Sequence, residues 1–107
     1  MTMVVLLTED AEHDLEALYD YIAKHDAPEK ADHVLTQIAK AFTSLADSPA
    51  RGTYAKELLA LGIRDFREIF FKPYRIIYRV LDDKVYVMLV ADGRRSLQKL
   101  MQRRLLG

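Results

Sequence analysis

The sequence contains no cysteine, so neither a disulfide bond nor a thiolate metal site can contribute to the fold. It also lacks a long hydrophobic run. The apolar stretch at residues 3–7 is far shorter than a membrane span, and no basic segment precedes it as in a signal peptide. No glycine-rich phosphate loop, nucleophile elbow or cofactor motif is present. These absences predict a soluble cytoplasmic protein that has no cofactor and no membrane partner.

The three histidines do not have the spacing of a metal site. His13 and His25 are twelve residues apart, and no acidic residue completes a ligand triad with His33. We interpret all three as surface or helix-packing residues and expect no metal. Half of the 107 residues are hydrophobic, which is enough for one core of modest size. We therefore expect a single domain over residues 1–107.

The formal net charge of zero hides a strong asymmetry along the chain. Residues 1–50 contain three Lys or Arg and ten Asp or Glu, a net charge of −7. Residues 51–107 contain thirteen Lys or Arg and six Asp or Glu, a net charge of +7. A basic half suggests an acidic partner, either nucleic acid or an acidic protein segment. Attraction between the two halves within the fold would explain the same pattern.

The first half of the chain has the pattern of a strand followed by two helices. Residues 3–7 form a short apolar run, and Thr8 can cap a helix whose apolar residues recur at helical spacing. Asp26 is the expected N-cap of a second helix, with Pro28 in its first turn. Because the connection is so short, the two helices should pack as an antiparallel hairpin.

From residue 64 onward the apolar period changes to that of strands. Residues 66–72, 75–81 and 85–91 are three candidate strands, and Asp82-Asp83 is a tight turn between the last two. That turn predicts three cross-strand pairs: Val80 with Val85, Tyr78 with Val87, and Ile76 with Leu89. These six side chains should lie under the helices, with Tyr78 in the core. The opposite face, which carries Arg75, Ile77, Arg79, Tyr86, Met88 and Val90, is the expected working surface.

The last residues predict a short C-terminal helix with Ser96 as its cap. Leu97, Leu100, Met101 and Leu105 would share one side of it and would dock on the sheet or await a partner. The fold class is therefore α+β. We expect an N-terminal strand, an antiparallel two-helix hairpin packed on a small and mainly antiparallel sheet, and a short C-terminal helix.

Taken together, the motifs resemble the ParE/RelE toxin superfamily over nearly the whole chain, and the ParE branch more closely. After the helical hairpin come Glu57-Leu58, Phe66-Arg67-Glu68, Lys72-Pro73-Tyr74-Arg75-Ile76-Ile77-Tyr78-Arg79 and Asp92-Gly93-Arg94-Arg95. The stretch at residues 72–79 is the most specific part.

The resemblance implies the toxin of a type II toxin–antitoxin system, held inactive by a cognate antitoxin. ParE-like members poison DNA gyrase and are not enzymes in their own right, whereas RelE-like members are endoribonucleases that cleave mRNA on the ribosome. We expect a gyrase inhibitor that arrests growth. A RelE-type mRNA interferase is the alternative, and a non-toxic module that binds an acidic helix is a second one.

RNA cleavage would need a general base, a general acid and stabilisation of the phosphorane charge. Arg75 matches the strand arginine of the RNA-cleaving members, and Glu57 falls near the position of a general base in some of them. The histidine or tyrosine that they place after the last strand is missing, because Asp92-Gly93-Arg94 stands there. An arginine stays protonated and is a poor general acid. This departure favours gyrase as the target.

Six residues are predicted to bind the antitoxin or the target: Arg67, Arg75, Arg79, Tyr86, Arg94 and Arg95. Arg75 and Arg79 lie on one predicted strand at an even spacing and so face the same way. They would bind phosphate or an acidic partner. Alternatively, they pair internally with Glu57 or Glu68.

Overall fold

A five-stranded sheet with two long helices on one face forms the centre of the computed structural model, which describes residues 2–107. In chain order the elements are β1 (Val4–Leu7), α1 (Glu9–His25), α2 (Pro28–Thr43), β2 (Thr53–Tyr54), α3 (Lys56–Leu59), β3 (Arg67–Phe71), β4 (Tyr74–Leu81), β5 (Lys84–Asp92) and α4 (Gln98–Met101). The strand order is β1-β5-β4-β3-β2, and only β1 and β5 run parallel. The predicted α+β fold is confirmed.

The two long helices begin where local chemistry favours a helix start. The Thr8 side chain accepts a hydrogen bond from the backbone N–H of Ala11 at 3.1 Å, as predicted. The prediction for Asp26 was wrong by one residue, since Ala27 precedes α2 and Asp26 ends α1. No helix between residues 2 and 107 has both the length and the apolar character needed to cross a lipid bilayer.

The β4–β5 hairpin follows the predicted register near its turn and departs from it further along. Val80 pairs with Val85, and Tyr78 pairs with Val87. A bulge then places one extra residue in β5, so Ile76 pairs with Val90 and the predicted pairing with Leu89 was wrong. Because side chains alternate along a strand, this insertion moves Val90 to the helix side and Leu89 to the opposite side.

The bulge gives the sheet a hydrophobic core on each face. The core under α1 and α2 contains Ile69, Ile76, Tyr78, Val85, Val87 and Val90 from the sheet. The core on the other face contains Ala55, Leu58, Phe66, Ile77, Leu89, Leu97 and Met101. The prediction of Tyr78 as a core residue is confirmed, since it is fully buried. On the second face, which we expect to be the working surface, α3 and α4 pack against Ile77 and Leu89 and cover part of it.

The C-terminal tail docks on its own sheet. Helix α4 begins at Gln98, and Leu97 precedes it without a side-chain cap, so the prediction of Ser96 as the cap was wrong. Leu97 and Met101 are both almost completely buried in the second core. A π-helical turn (Gln102–Leu106) continues the tail and carries Arg104 back towards α1.

We expect removal of residues 97–107 to destabilise the protein strongly. Truncation would expose the surface now covered by Leu97 and Met101, and each such side chain contributes roughly 1.5–3 kcal/mol to stability. The loss of about 3–6 kcal/mol is large beside a typical stability of about 5–15 kcal/mol. Chemical denaturation of both forms measures it. Arg103→Ala, at an exposed tail position, is the control, and an unchanged midpoint after truncation would contradict the docking.

Candidate functional site

The site begins with a buried cluster of one arginine and two glutamates, which we call the Arg75 cluster (Arg75, Glu57 and Glu68). Arg75 lies on β4, Glu68 on the neighbouring strand β3, and Glu57 on α3. Two Arg75 nitrogens donate to the Glu57 carboxylate at 2.6 and 2.8 Å. Nε donates to Glu68 at 3.1 Å, and Nη2 also donates to the same carboxylate. The side chains are only 6–12% exposed.

This geometry limits what Arg75 and Glu57 can do, the two residues that would be catalytic only if the protein cleaved RNA. The hydrogen bonds from Arg75 hold the pKa of Glu57 below its usual value, so this carboxylate is a weak base. The same bonds raise the pKa of Arg75 above its already high value, so the guanidinium cannot act as an acid. Of the two interpretations left open by the sequence, the structure has Arg75 pairing internally with both Glu57 and Glu68. Its role in binding a partner stays a prediction.

A glycine next to the cluster leaves room for the Arg75 side chain. A Cβ atom placed on Gly93 would lie 2.9 Å from both Cγ and Cδ of Arg75, and 2.9 Å from the carbonyl oxygen of Pro73. Such distances are shorter than real contacts, so any other residue would displace the arginine or the β3–β4 turn. The Gly93 backbone N–H also donates to Pro73 O at 2.8 Å. The segment after β5 is thereby held against the cluster.

A second ion pair covers the outer edge of β5. Strand β1 pairs with β5 only as far as Val87, so the following residues of β5 have no neighbouring strand on that side. Asp14 on α1 accepts the backbone N–H of Val90 at 3.0 Å, and Arg104 donates to the carbonyl oxygen of Met88 at 3.0 Å. Asp14 and Arg104 also bind each other through two hydrogen bonds of 3.0 Å. The pair therefore replaces the missing strand.

Beyond this pair a groove opens between α1, the end of β5 and the tail, which we call the tail groove. Its volume is about 610 Å³. Its lining is both apolar and charged: Asp14, Ala17, Leu18, Tyr21, Tyr74, Leu89, Val90, Ala91, Asp92, Arg94, Arg95, Leu100 and Arg104. Arg94 is exposed and binds Asp92 at 2.6 Å, which lowers the pKa of the Asp92 carboxyl. Arg95 is exposed at the same rim.

The other predicted binding residues lie elsewhere on the sheet. Arg67 is half-buried near the edge strand β2, where its guanidinium lies 4.4 Å from the centre of the Tyr54 ring. Arg79 is half-buried near the end of β4 and lies 3.5 Å from the Asp65 carboxylate. Tyr86 pairs with Arg79 across the β4–β5 hairpin. The six predicted residues therefore form no single site.

Of two residues important to this region, Asp14 was not recognised in the sequence, and Glu68 was named only as a possible internal partner of the arginines. Asp14 lies between Ala11 and Leu18 at helical spacing, so a carboxylate falls on the apolar stripe of α1. That position signals a polar group in need of a partner. Glu68 had a similar signal. In an extended chain it lies on the same side as Phe66 and Phe70, so a carboxylate stands between two apolar side chains. Residues 2–107 contain no cluster of His, Cys, Asp or Glu that could hold a metal ion.

A known family matches most of the chain. Residues 5–97 match the family described as "ParE toxin of type II toxin-antitoxin system, parDE". The chain belongs to the ParE toxin family. No curated protein sequence matches this ParE-family chain. The family assignment confirms the predicted membership of the ParE/RelE superfamily.

Solved structures of related systems share the fold of this ParE-family protein. A chain of the chromosomal ParDE TA system from P. aeruginosa is 20% identical, with a TM-score of 0.71 and coverage of 85% of this chain and 96% of that one. A chain of the RelBE2 toxin–antitoxin complex from Mycobacterium tuberculosis is 22% identical, with a TM-score of 0.62 and coverage of 86% of this chain and 92% of that one. A mutant of the E. coli toxin RelE in the free state is 19% identical, with a TM-score of 0.64 and coverage of 98% of this chain and 100% of that one. At these identities the similarity concerns the fold.

We expect Arg75→Met to destabilise this ParE-family protein by about 3 kcal/mol or more, because two buried carboxylates would lose their counter-ion. In the wild type, the lowered pKa of Glu57 means that its ionised form stabilises the fold. This contribution to the free energy of unfolding is fully present above pH 4.5, the ordinary pKa of a glutamate, and it is lost as the pH falls through the lower pKa of the folded state. In the Arg75→Met variant, the dependence of stability on pH should reverse. Protonation of Glu57 would relieve its repulsion from the neighbouring carboxylate, so stability should rise as the pH is lowered from about 7 to about 5.

Urea denaturation at about pH 5 and about pH 7 measures both effects. Arg103→Met removes a charge from an exposed position and serves as the matched control. If the Arg75 variant were as stable as this control at both pH values, the cluster would not carry the structural role assigned to it.

Proposed function

We propose that this ParE-family toxin inhibits DNA gyrase, and that a cognate antitoxin in the cytoplasm neutralises it, with residues 1–107 acting as one domain. The observation that carries the proposal is the Arg75 cluster. Glu57 and Arg75 are the two residues that could serve RNA cleavage, and each is the other's hydrogen-bond partner. A base so engaged and a guanidinium so buried are poorly suited to activating a 2′-hydroxyl group. This favours inhibition by binding.

The segment after β5 supports the same choice. Its charged groups are Asp92, Arg94 and Arg95, and none is a general acid at neutral pH. The hydrogen bonds that Arg94 donates to Asp92 lower the pKa of the Asp92 carboxyl, and the same contact raises the pKa of Arg94. Protonation of a leaving oxygen would therefore need a group from outside this segment. A RelE-type mRNA interferase stays the alternative that the following experiment must exclude.

We expect expression of the protein alone to arrest growth, and co-expression of the cognate antitoxin to restore it. Arrested cells should contain double-strand DNA breaks while their mRNA stays intact. With purified gyrase and plasmid DNA, the protein should increase the amount of cleaved DNA. Glu57→Gln is the discriminating variant, because the amide can still accept a hydrogen bond from Arg75 but cannot act as a base.

If gyrase is the target, the folded Glu57→Gln variant should keep its toxicity. If the protein is an mRNA interferase, the variant should lose toxicity and the wild type should cleave mRNA on ribosomes. Normal growth with abundant folded wild-type protein would instead support a non-toxic binding module. A thermal melt of the variant confirms that it is folded before toxicity is compared.

We further propose that the antitoxin binds in the tail groove. Its volume of about 610 Å³ and its mixed apolar and basic lining suit a protein segment that carries both apolar and acidic side chains. Arg94 and Arg95 are exposed at its rim, and residues 51–107 have a net charge of +7, from thirteen basic and six acidic residues. Apolar contacts on the floor would supply most of the affinity, and the arginines would speed association.

We expect the double substitution Arg94→Glu and Arg95→Glu to slow association with the antitoxin by roughly tenfold or more at low salt. The dissociation rate should change much less, because both side chains lie at the exposed rim. Stopped-flow measurements at two salt concentrations test this. The control is Lys24→Glu with Lys30→Glu, which makes the same charge change at exposed positions of α1 and α2. Equal association rates for both double variants would exclude the tail groove as the encounter site.

A further inference from the structure

The corner of the sheet opposite the tail groove contains a smaller recess, which arises because β4 is longer than β3. The two strands pair from Phe71 and Tyr74 to Arg67 and Tyr78, and β4 then continues to Leu81. Residues 79–81 therefore have no strand partner on that side. The recess has a volume of about 250 Å³, and we call it the β4 notch. Its lining residues are Tyr54, Arg64, Asp65, Arg67, Tyr78, Arg79, Val80 and Leu81.

Positive charge dominates the β4 notch. Three arginines line it, Arg64, Arg67 and Arg79, against the single carboxylate of Asp65. Arg64 is exposed and forms no ion pair with any residue between 2 and 107. The contact between Arg79 and Asp65 is long, at 3.5 Å, and Asp65 is 56% exposed. Such a pair is weak and easily replaced by another oxyanion.

The protein restrains two of the three guanidinium groups, Arg67 firmly and Arg79 more loosely. Arg67 donates to the carbonyl oxygen of Gly52 at 2.9 Å and to the hydroxyl of Tyr54 at 3.3 Å, and it stacks on the Tyr54 ring. The Arg79 guanidinium lies 5.6 Å from the centre of the Phe66 ring. Because these side chains are already restricted, binding an anion would cost less conformational entropy than it would with mobile arginines.

The size and charge of the notch select among possible anions. An α-helix with its side chains is roughly 10–12 Å across, so a recess of this volume accepts a short stretch of an extended chain instead of a folded element. One arginine satisfies one carboxylate through a bidentate contact. Three arginines with a single internal carboxylate match a continuous polyanion better, and the nucleic-acid backbone carries a charge on every phosphate.

We propose that the β4 notch binds the phosphodiester backbone of nucleic acid through Arg64 and Arg79, with Arg67 adding positive charge beside them. The contact is independent of base sequence, because it involves only phosphates. Its biological meaning rests on the proposed function. Gyrase holds duplex DNA, so a toxin seated on gyrase would contact that DNA through the notch. Duplex DNA and RNA present the same phosphate chemistry, and the experiment distinguishes them.

Fluorescence anisotropy with a labelled DNA duplex of about 20 base pairs and a labelled RNA of about 20 nucleotides tests the proposal with the full chain. The variant Arg64→Ala with Arg79→Ala should weaken binding to the duplex by roughly tenfold or more at about 100 mM salt. It should also reduce the slope of log affinity against log salt by about 2, since each lost phosphate contact removes about 0.9. The single substitution Arg64→Lys keeps the charge, so this variant should bind the duplex more tightly than the double alanine variant does.

The matched control is Lys99→Ala with Arg103→Ala, which removes two exposed charges from the tail. It should leave the affinity within roughly twofold. An equal loss in the control, absence of wild-type binding to either polynucleotide at about 50 mM salt, or displacement of DNA by polyglutamate at equal charge would overturn the proposal. Tighter binding to RNA than to duplex DNA would overturn the link to DNA on gyrase. Thermal melts establish that both double variants are folded.

The gyrase cleavage assay separates this proposal from the proposed function. If wild-type protein binds DNA through the notch but does not increase gyrase cleavage, the notch assignment holds and the proposed function fails. If the notch variant poisons gyrase as well as the wild type does and DNA binding is unchanged, the notch assignment fails and the proposed function holds.

Discussion

The ion pairing of Arg75 with two glutamates is the interaction on which the arrangement around the sheet depends. A buried guanidinium must be matched by carboxylates with good geometry, or the cost of removing it from water exceeds the gain. Here the match requires β3, β4 and α3 to be in their native positions at once, because each contributes one member. The cluster thus fixes a four-residue helix that could not hold its place by itself.

The bulge in β5 has effects on both sides of the sheet. Without the extra residue, Leu89 would point at the long helices and Val90 at the tail. With it, Val90 completes the core under α1 and α2, and Leu89 provides part of the surface on which Leu97 and Met101 pack. The bulge also lies near the point where β1 ends, where Asp14 and Arg104 cover the outer edge of β5. One inserted residue therefore determines how the tail, the groove and the strand edge fit together.

The sequence predicted those features that depend on near neighbours. The cap at Thr8, the three antiparallel strands and the pairing of Val80 with Val85 follow from spacing and turn chemistry, and the structure confirms them. The bulge was not predictable, because the residues around Met88 are apolar in either register. The sequence offered Glu57 and Glu68 as internal partners of Arg75, but it left open whether the arginine pairs with them or with another molecule. Glu57 and Glu68 are eighteen and seven residues away from Arg75, and the packing of α3 together with the pairing of β3 and β4 brings both within reach.

The candidate site was predicted in part for the same reason. The family resemblance identified the basic residues, but it could not separate the buried arginine from those at the surface. Arg75 is in the interior, whereas Arg94 and Arg95 lie at an open rim. Burial depends on the docking of α3 and the tail, which are short and have weak local signals. Long-range packing thus decides which charges are available to a partner.

The contact between Asp14 and Arg104 also constrains how the chain can fold during synthesis. The two residues are 90 positions apart, and β1 must likewise wait for β5. At about 5–20 residues per second, a ribosome needs roughly 5–20 s to make the intervening chain. Until then β1 lacks its neighbouring strand, and the side chains of Val5 and Leu7 lack the core residues of β5 on which they pack. Folding to such a topology is slow, because segments distant in sequence must meet before their contacts contribute to stability. The N-terminal half of the nascent chain is therefore synthesised some time before the residues that complete its fold.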